Sequence, residues 1–180
     1  MIEIEIPSAE FFDEGTAQFI TYDRIILRLE HSLISLSKWE SKWNKPFLDE
    51  KEKTQEECID YVRCMTLTKN VNPFVYERLT TENFRKINAY IEASMTATWF
   101  TESKTKGRHM EVVTAEVIYY WMISLNVPFE CQTWHLNRLL TLIRVCNEKN
   151  APQKKMSRKD IYSRNRNLNN ARRKANHSKG

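Results

Sequence analysis

At 180 residues the chain has the length of one ordinary domain, and its 41% apolar content, with 5 Trp, 7 Tyr and 8 Phe, is enough for a sizeable core. That content excludes disorder throughout, and no apolar run approaches the ~20 residues a membrane-spanning helix requires. The opening MIEIEIPSAEFFDE has neither the basic region nor the apolar stretch of a secretory signal, so the expected compartment is the cytoplasm that makes the protein.

Charge divides the chain in two. Residues 151–180 hold ten basic side chains against one acidic, Asp160, a balance of +9; the whole chain carries +5, which leaves −4 for residues 1–150. We therefore expect a mildly acidic, mostly helical globular domain over 1–150, and a basic tail over 151–180 that either has a different task or folds back on an acidic face.

In chain order, Ile2, Ile4 and Ile6 alternate with Glu3 and Glu5, the period-2 pattern of a half-buried strand that Pro7 ends. A second run, Tyr22 to Glu30, sets Ile25, Leu27 and Leu29 on one face. Between them, Phe11-Phe12-Asp13-Glu14-Gly15-Thr16 reads as a turn leading to Phe19 and Ile20. From Ser32 the period lengthens: Leu33, Leu36, Trp39, Trp43 and Phe47 recur at spacings of three and four, which predicts an amphipathic helix ending before Pro46 and the charged Asp49–Lys53 stretch. Thr54 followed by Glu57 is a capping-box signature for a second helix, with Cys58, Tyr61, Val62, Met65 and Leu67 as its apolar stripe. Asn72-Pro73 starts a short helix. Thr81 precedes another, carrying Phe84, Ile87, Tyr90 and Ile91.

The polar stretch from Glu102 to His109, with Gly107 inside it and Met95–Thr101 and Met110–Val113 on either side, suits a hairpin or mobile loop. Val112–Leu125 leaves hardly any polar face and is expected to be buried all round, including Tyr119, Tyr120 and Trp121. Gln132–Cys146 is the next apolar helix, its polar stripe made by Asn137, Arg138, Thr141 and Arg144. Joined through Asn126–Cys131, these two make a central αα-hairpin. The fold class is thus mainly α (α+β): a small N-terminal antiparallel sheet packed on a helical bundle. In the tail, Ser157 and Asp160 can cap a helix in which Ile161, Leu168 and Ala175 recur every seven residues. Alone such a helix buries too little to stay folded, so the tail is expected to be flexible, or to become helical on a partner.

Chemistry is sparse. Three glycines in all (Gly15, Gly107, Gly180) exclude glycine-rich phosphate loops, and no nucleophile motif is present, so no catalytic residue is assigned and no cofactor is expected. Cys58, Cys64, Cys131 and Cys146 match no zinc-ligand spacing and are read as reduced core residues. His31, His109, His135 and His177 form no ligand pair, so no metal site is assigned either; His135 reads as a satisfied structural histidine. Trp39 and Trp43, one turn apart, are either core or an aromatic recognition stripe. The clearest physical case for binding is the tail, where Lys154, Lys155, Arg158, Lys159, Arg164, Arg166, Arg172, Arg173 and Lys174 would attract nucleic acid or an acidic protein surface, the alternative being a tail that only solubilises. Tyr162 is its one ring, which argues against stacking on single-stranded bases.

Three stretches carry a resemblance: LEHSLISLSKWESKWNKPFLDEKEKTQEECIDYVRCMTL (Leu29–Leu67), AYIEASMTATWF (Ala89–Phe100) and VIYYWMISLNVPFECQTWHLNRLLTLIRVCNEKNAPQKKMSRKD (Val117–Asp160), with the uncommon strings SKWESKW and WHLNRLLTLIRVCN. They are similar to a group of proteins encoded among the tail genes of long-tailed phages and prophages of Gram-positive bacteria, described as tail assembly chaperones. The resemblance implies a non-enzymatic protein that keeps the tape-measure protein soluble while tail-tube protein polymerises around it, and that is left out of the finished virion. It also implies that a longer frameshifted product can accompany this one, and it transfers no catalytic residue. Two other expectations stand beside it: a nucleic-acid-binding protein that uses the tail, and a structural neck or tail component of the virion.

Overall fold

The structure is a computed structural model that describes residues 1–13, 15, 17–100, 112–151 and 157–177. The chain divides into two compact units, Met1–Asn147 and Glu148–Gly180. The expected hairpin or loop from Glu102 to His109 lies outside the described residues.

The alternating isoleucines become strand β1 (Ile2–Ile6), paired antiparallel with β4 (Ile25–Leu29) so that Ile2 faces Leu29, Ile4 faces Leu27 and Ile6 faces Ile25. Because side chains alternate, Ile4, Ile6, Leu27 and Leu29 are buried on one face. Glu3 and Arg28 pair on the other face at 3.1 Å, as do Glu5 and Arg24 at 2.8 Å. The segment read as a turn is a second ribbon. Strand β2 (Ala9–Asp13) pairs with β3 (Gln18–Tyr22), setting Phe11 opposite Ile20 and Phe12 opposite Phe19. The aromatic run has strong strand propensity and its rings meet across the pair, so β2 runs on to Asp13; Ala17, just before β3, takes φ 51°.

Helix α1 (Leu33–Trp43) starts at Ser32, whose side chain caps Ser35 while Ser35 caps back, and stops at Asn44 in the left-handed region, just ahead of Pro46. Helix α2 (Gln55–Met65) has the expected box: Glu57 N–H donates to Thr54 Oγ1 at 3.2 Å, and Thr54 N–H donates to Glu57 Oε2 at 2.8 Å. Its last expected apolar residue, Leu67, is exposed, because the helix ends at Met65 and the chain turns to run along β4. Helix α3 (Phe74–Glu77) follows Asn72-Pro73, with Asn72 Oδ1 accepting from Phe74 N–H. Helix α4 (Thr81–Glu92) is capped one residue earlier than expected, by Thr80, because Asn83 at the third position reciprocates.

Helix α5 (Ala115–Ser124) and helix α6 (Leu136–Asn150) form the expected pair of apolar helices, but α6 begins four residues after Gln132. Phe129–Thr133 is a 3-10 helix, and His135 is drawn into an isolated bridge with Ser32, with His31 O accepting from Leu136 N–H at 2.7 Å. A tertiary contact, invisible to periodicity, thus sets that helix start. Full burial of α5 also fails. Ala115, Ile118 and Met122 point inward, Tyr119 and Trp121 are half-buried, and Tyr120 and Ile123 are exposed at 66% and 61%.

Two clusters fill the core of the first unit, and α1 feeds both. Trp39 joins β1, β4, α2, α3 and α4 in one cluster. Leu33 and Leu36 join α5, α6 and Cys131 in the other. The four cysteines are free thiols, Cys131 buried and the rest half-buried. In the second unit, α7 (Arg158–Ala175) is helical with no buried residue. Its determinants are local: Ser157 Oγ accepts from Asp160 N–H at 3.1 Å, Asp160 lies in the first turn, and Arg172, Arg173 and Lys174 lie in the last, each matching the helix dipole.

Candidate binding surfaces

Trp39 and Trp43 separate. Trp39 is buried, its indole N–H donating to Glu57 O at 2.9 Å and its ring edge-on to Phe47 at 5.0 Å, so it is core and has no face left for recognition. Trp43, half-buried, stacks on Trp39 at 6.1 Å and donates to Asp60 Oδ2 at 2.9 Å. Lys42 also pairs with Asp60, and Lys45 with Glu57 at 2.5 Å. The lysine beside Glu57, together with the Thr54 N–H, holds that carboxyl below the usual range. One turn of helix thus carries a core residue and the lid of a charged network.

The buried polar groups between the two clusters form a structural seam. Glu40 accepts from Phe47 N–H at 2.8 Å with one oxygen and from Ala115 N–H, the first residue of α5, at 2.7 Å with the other. Burial pushes its pKa up in spite of those bonds. His31 and His135 lie with ring centres 5.2 Å apart. His135 Nε2 donates to Tyr90 O at 2.9 Å and its Nδ1 accepts from Asn137 N–H at 3.3 Å, an arrangement that fixes the neutral tautomer. His31 Nδ1 shares a 2.6 Å hydrogen bond with the Tyr61 hydroxyl. Desolvation, with His135 adding to it, lowers the His31 pKa to about 3, and desolvation lowers that of His135 as well. These are satisfied groups inside the fold. Among the described residues, no three His, Cys, Asp or Glu side chains converge to hold a metal ion.

Free apolar surface lies elsewhere. The β2–β3 ribbon exposes Phe11, Phe12 and Phe19, the last two at 54% and 72%, and Phe74 of α3 is exposed beside it. On α5, Tyr120 and Ile123 add a second apolar spot. Sequence reasoning missed the ribbon by reading Phe11 and Phe12 into a turn. The available signal was two adjacent phenylalanines, Phe11-Phe12, followed by a second apolar pair, Phe19-Ile20, at strand-pairing distance.

Of the tail cations, Arg158, Lys159, Arg164, Arg166, Arg172, Arg173 and Lys174 lie on α7, all exposed; Lys154 and Lys155 fall outside the described residues. At 100° per residue, Arg158, Lys159, Arg166 and Arg173 gather on one face, while Ile161, Leu168 and Ala175 gather on another. The structure therefore brings four of the predicted cations together on one stripe.

No helix among the described residues is long and apolar enough to cross a membrane. The chain matches no known protein-family model, no curated protein and no solved structure.

Proposed function

We propose that the protein acts by stoichiometric binding, without catalysis, as a phage tail assembly chaperone that holds the tape-measure protein soluble in the cytoplasm of the infected bacterial host while tail-tube protein assembles. The observation that supports this reading most is the unburied apolar surface of the first unit, above all the rings of the β2–β3 ribbon. Exposed rings on a two-stranded ribbon contribute little to the fold that carries them, and a protein that retains them has apolar surface to offer a client. The resemblance over Leu29–Leu67, Ala89–Phe100 and Val117–Asp160 supplies the identity of that client.

The test is co-expression with the tape-measure protein from the same gene cluster. Soluble tape-measure protein that co-purifies at high salt is the expected result, because apolar contacts are insensitive to ionic strength. Loss of the complex at modest salt, or a tape-measure protein that stays insoluble, sinks the reading.

A second reading is favoured by one observation, the cationic stripe of α7. On it the protein binds nucleic acid through phosphates, and its affinity falls steeply with salt as counterions are released. Equal DNA binding by a chain lacking residues 151–180 removes that alternative. Stoichiometric presence in purified virions would instead make the protein a neck or tail component.

A further inference from the structure

Of the described helices, α7 alone buries no residue. Its surface is nonetheless divided by residue type. At 100° per residue, Arg172, Arg158, Arg173, Arg166, Lys159 and Lys174 follow one another around an arc of about 200° that holds no acid. Asp160, the one acidic residue of α7, lies outside the arc, where its carboxylate accepts from the Ser157 hydroxyl at 2.6 Å. The remaining side carries Ile161, Leu168, Ala171 and Ala175, with Arg164 among them.

Charge makes the partner a polyanion, and the width of the arc says which kind. A flat acidic protein surface meets a helix along one stripe and leaves the margins of so wide an arc in water. A bilayer needs an apolar face to hold the helix, and Ile161 and Leu168 are the only large aliphatic side chains of α7. A groove with two anionic walls meets the whole arc. The major groove of duplex DNA is about 12 Å wide, admits an α-helix and has phosphates along both rims. Down the middle of the arc run Tyr162, Arg166, Asn169 and Arg173, at spacings of four, three and four, so they share one line about 16 Å long, the rise of about five base pairs. Arginine and asparagine are the side chains that read base edges with paired hydrogen bonds, Arg on guanine and Asn on adenine. Asn165, Asn167, Asn169 and Asn170 also weaken the helix that carries them, since asparagine is a poor helix former. A segment that only solubilises, or only neutralises charge, gains nothing from them.

We propose that α7 lies in the major groove of duplex DNA and reads its sequence. Arg166, Asn169 and Arg173 face the base edges, and Tyr162, on the same line, sets its ring against a thymine methyl. Arg158 and Arg172 at one margin of the arc, and Lys159 and Lys174 at the other, lie on the phosphates of the two rims. The proposal rests on the nucleic-acid reading of the function and deepens it from phosphate binding to base readout. It makes no use of the apolar surface of the first unit, so a client held there is compatible with it.

The probe is a library of DNA duplexes with a random core of about 14 base pairs, selected on the full-length protein at near-physiological salt. The selected duplexes are expected to share a site of about five base pairs. Two variants then separate readout from charge. Arg166→Lys keeps the charge and loses the paired donors, and Asn169→Ala changes no charge and strengthens the helix. Each should bind the selected duplex at least about fivefold more weakly and an unselected duplex as before. Lys174→Gln should weaken both duplexes alike and lower the slope of log affinity against log salt by about one. All three side chains are exposed, so the melting curve of the chain should not move. No shared site, equal affinity for single-stranded DNA or duplex RNA of the selected sequence, or full-strength binding by both readout variants overturns the proposal. So does tighter binding to vesicles of anionic lipid than to the selected duplex. If unselected nucleic acid is still bound with a steep salt slope in those cases, the nucleic-acid reading survives as phosphate binding alone; no binding to any nucleic acid at low salt removes both.

Discussion

Two antiparallel ribbons of five-residue strands lie close together in this chain and have opposite fates. In β1–β4 apolar residues alternate with charged ones except at Ile26, one face is buried at Ile4, Ile6, Leu27 and Leu29 and half-buried at Ile2 and Ile25, and the outer edge of β4 is closed by the chain after α2, where Leu67 N–H donates to Arg28 O at 2.8 Å and Glu30 N–H to Met65 O at 2.9 Å. In β2–β3 the rings point to both faces, none is buried, and among the described residues neither strand pairs with a third. The contrast teaches that apolar content and strand pairing alone do not make core. Alternation in register with a second layer does, and apolar residues that lack it are free for a partner.

The largest expected effect tests the first half of that contrast. Leu27→Ala removes a fully buried side chain at the centre of the β1–β4 face and should cost about 2–5 kcal/mol in urea unfolding. A loss of well under 1 kcal/mol there breaks the comparison, since β1–β4 would then be no more structural than its neighbour.

Acid should act next, through the histidine that follows β4. The folded-state pKa of His31 is about 3, below its ordinary 6.5, so the fold favours neutral His31. Its contribution is fully present above pH 6.5 and is lost as the pH falls toward 3. At about 1.4 kcal/mol per pH unit, His31 alone removes about 2 kcal/mol between pH 6.5 and 5, a window above the one in which the depressed carboxyl of Glu57 starts to be protonated. His135 adds to the loss in the same direction. Urea midpoints taken across that window should fall steeply for the unmodified chain and more shallowly for His31→Gln. Parallel profiles would detach the histidine from the seam.

Smaller still is the cap of α2. Thr54→Ala frees Glu57 N–H and should cost about 1 kcal/mol, loosening the segment that closes the β4 edge. Amide exchange at Leu67 and Glu30 should quicken with it, while exchange in β3 stays as it was.

How much of this was legible follows from what each signal depends on. Strand β1, the Ile25–Leu29 face and the Thr54 box were readable because local alternation and local capping decide them. The start of α6 was not, because His135 is held by a bridge to Ser32, a residue about a hundred positions away. The exposed side of α5 was missed for a related reason: an all-apolar helix gives periodicity no polar face to locate, and which side meets α1 is fixed by packing. Trp39 and Trp43 stayed ambiguous in sequence and were separated by the identity of what lies over each ring. The approach of Tyr22 to Phe74 was out of reach, since it joins residues about fifty positions apart and depends on a ribbon whose first strand reads as a turn.

The smallest expected effect on stability is also the sharpest on function. Phe19→Ser removes a ring that is 72% exposed and touches Phe12 across the ribbon, so unfolding should change by about 0.5 kcal/mol at most. If the rings of β2–β3 serve a client, the same substitution should abolish tape-measure solubility in co-expression while the melting curve barely moves. A variant that melts like Leu27→Ala places β2–β3 inside the fold with β1–β4 and dissolves the distinction between the ribbons. A variant that melts normally and still rescues the client keeps the distinction and moves the binding surface to the outer side of α5, where Tyr120 and Ile123 are the next rings and branches to remove.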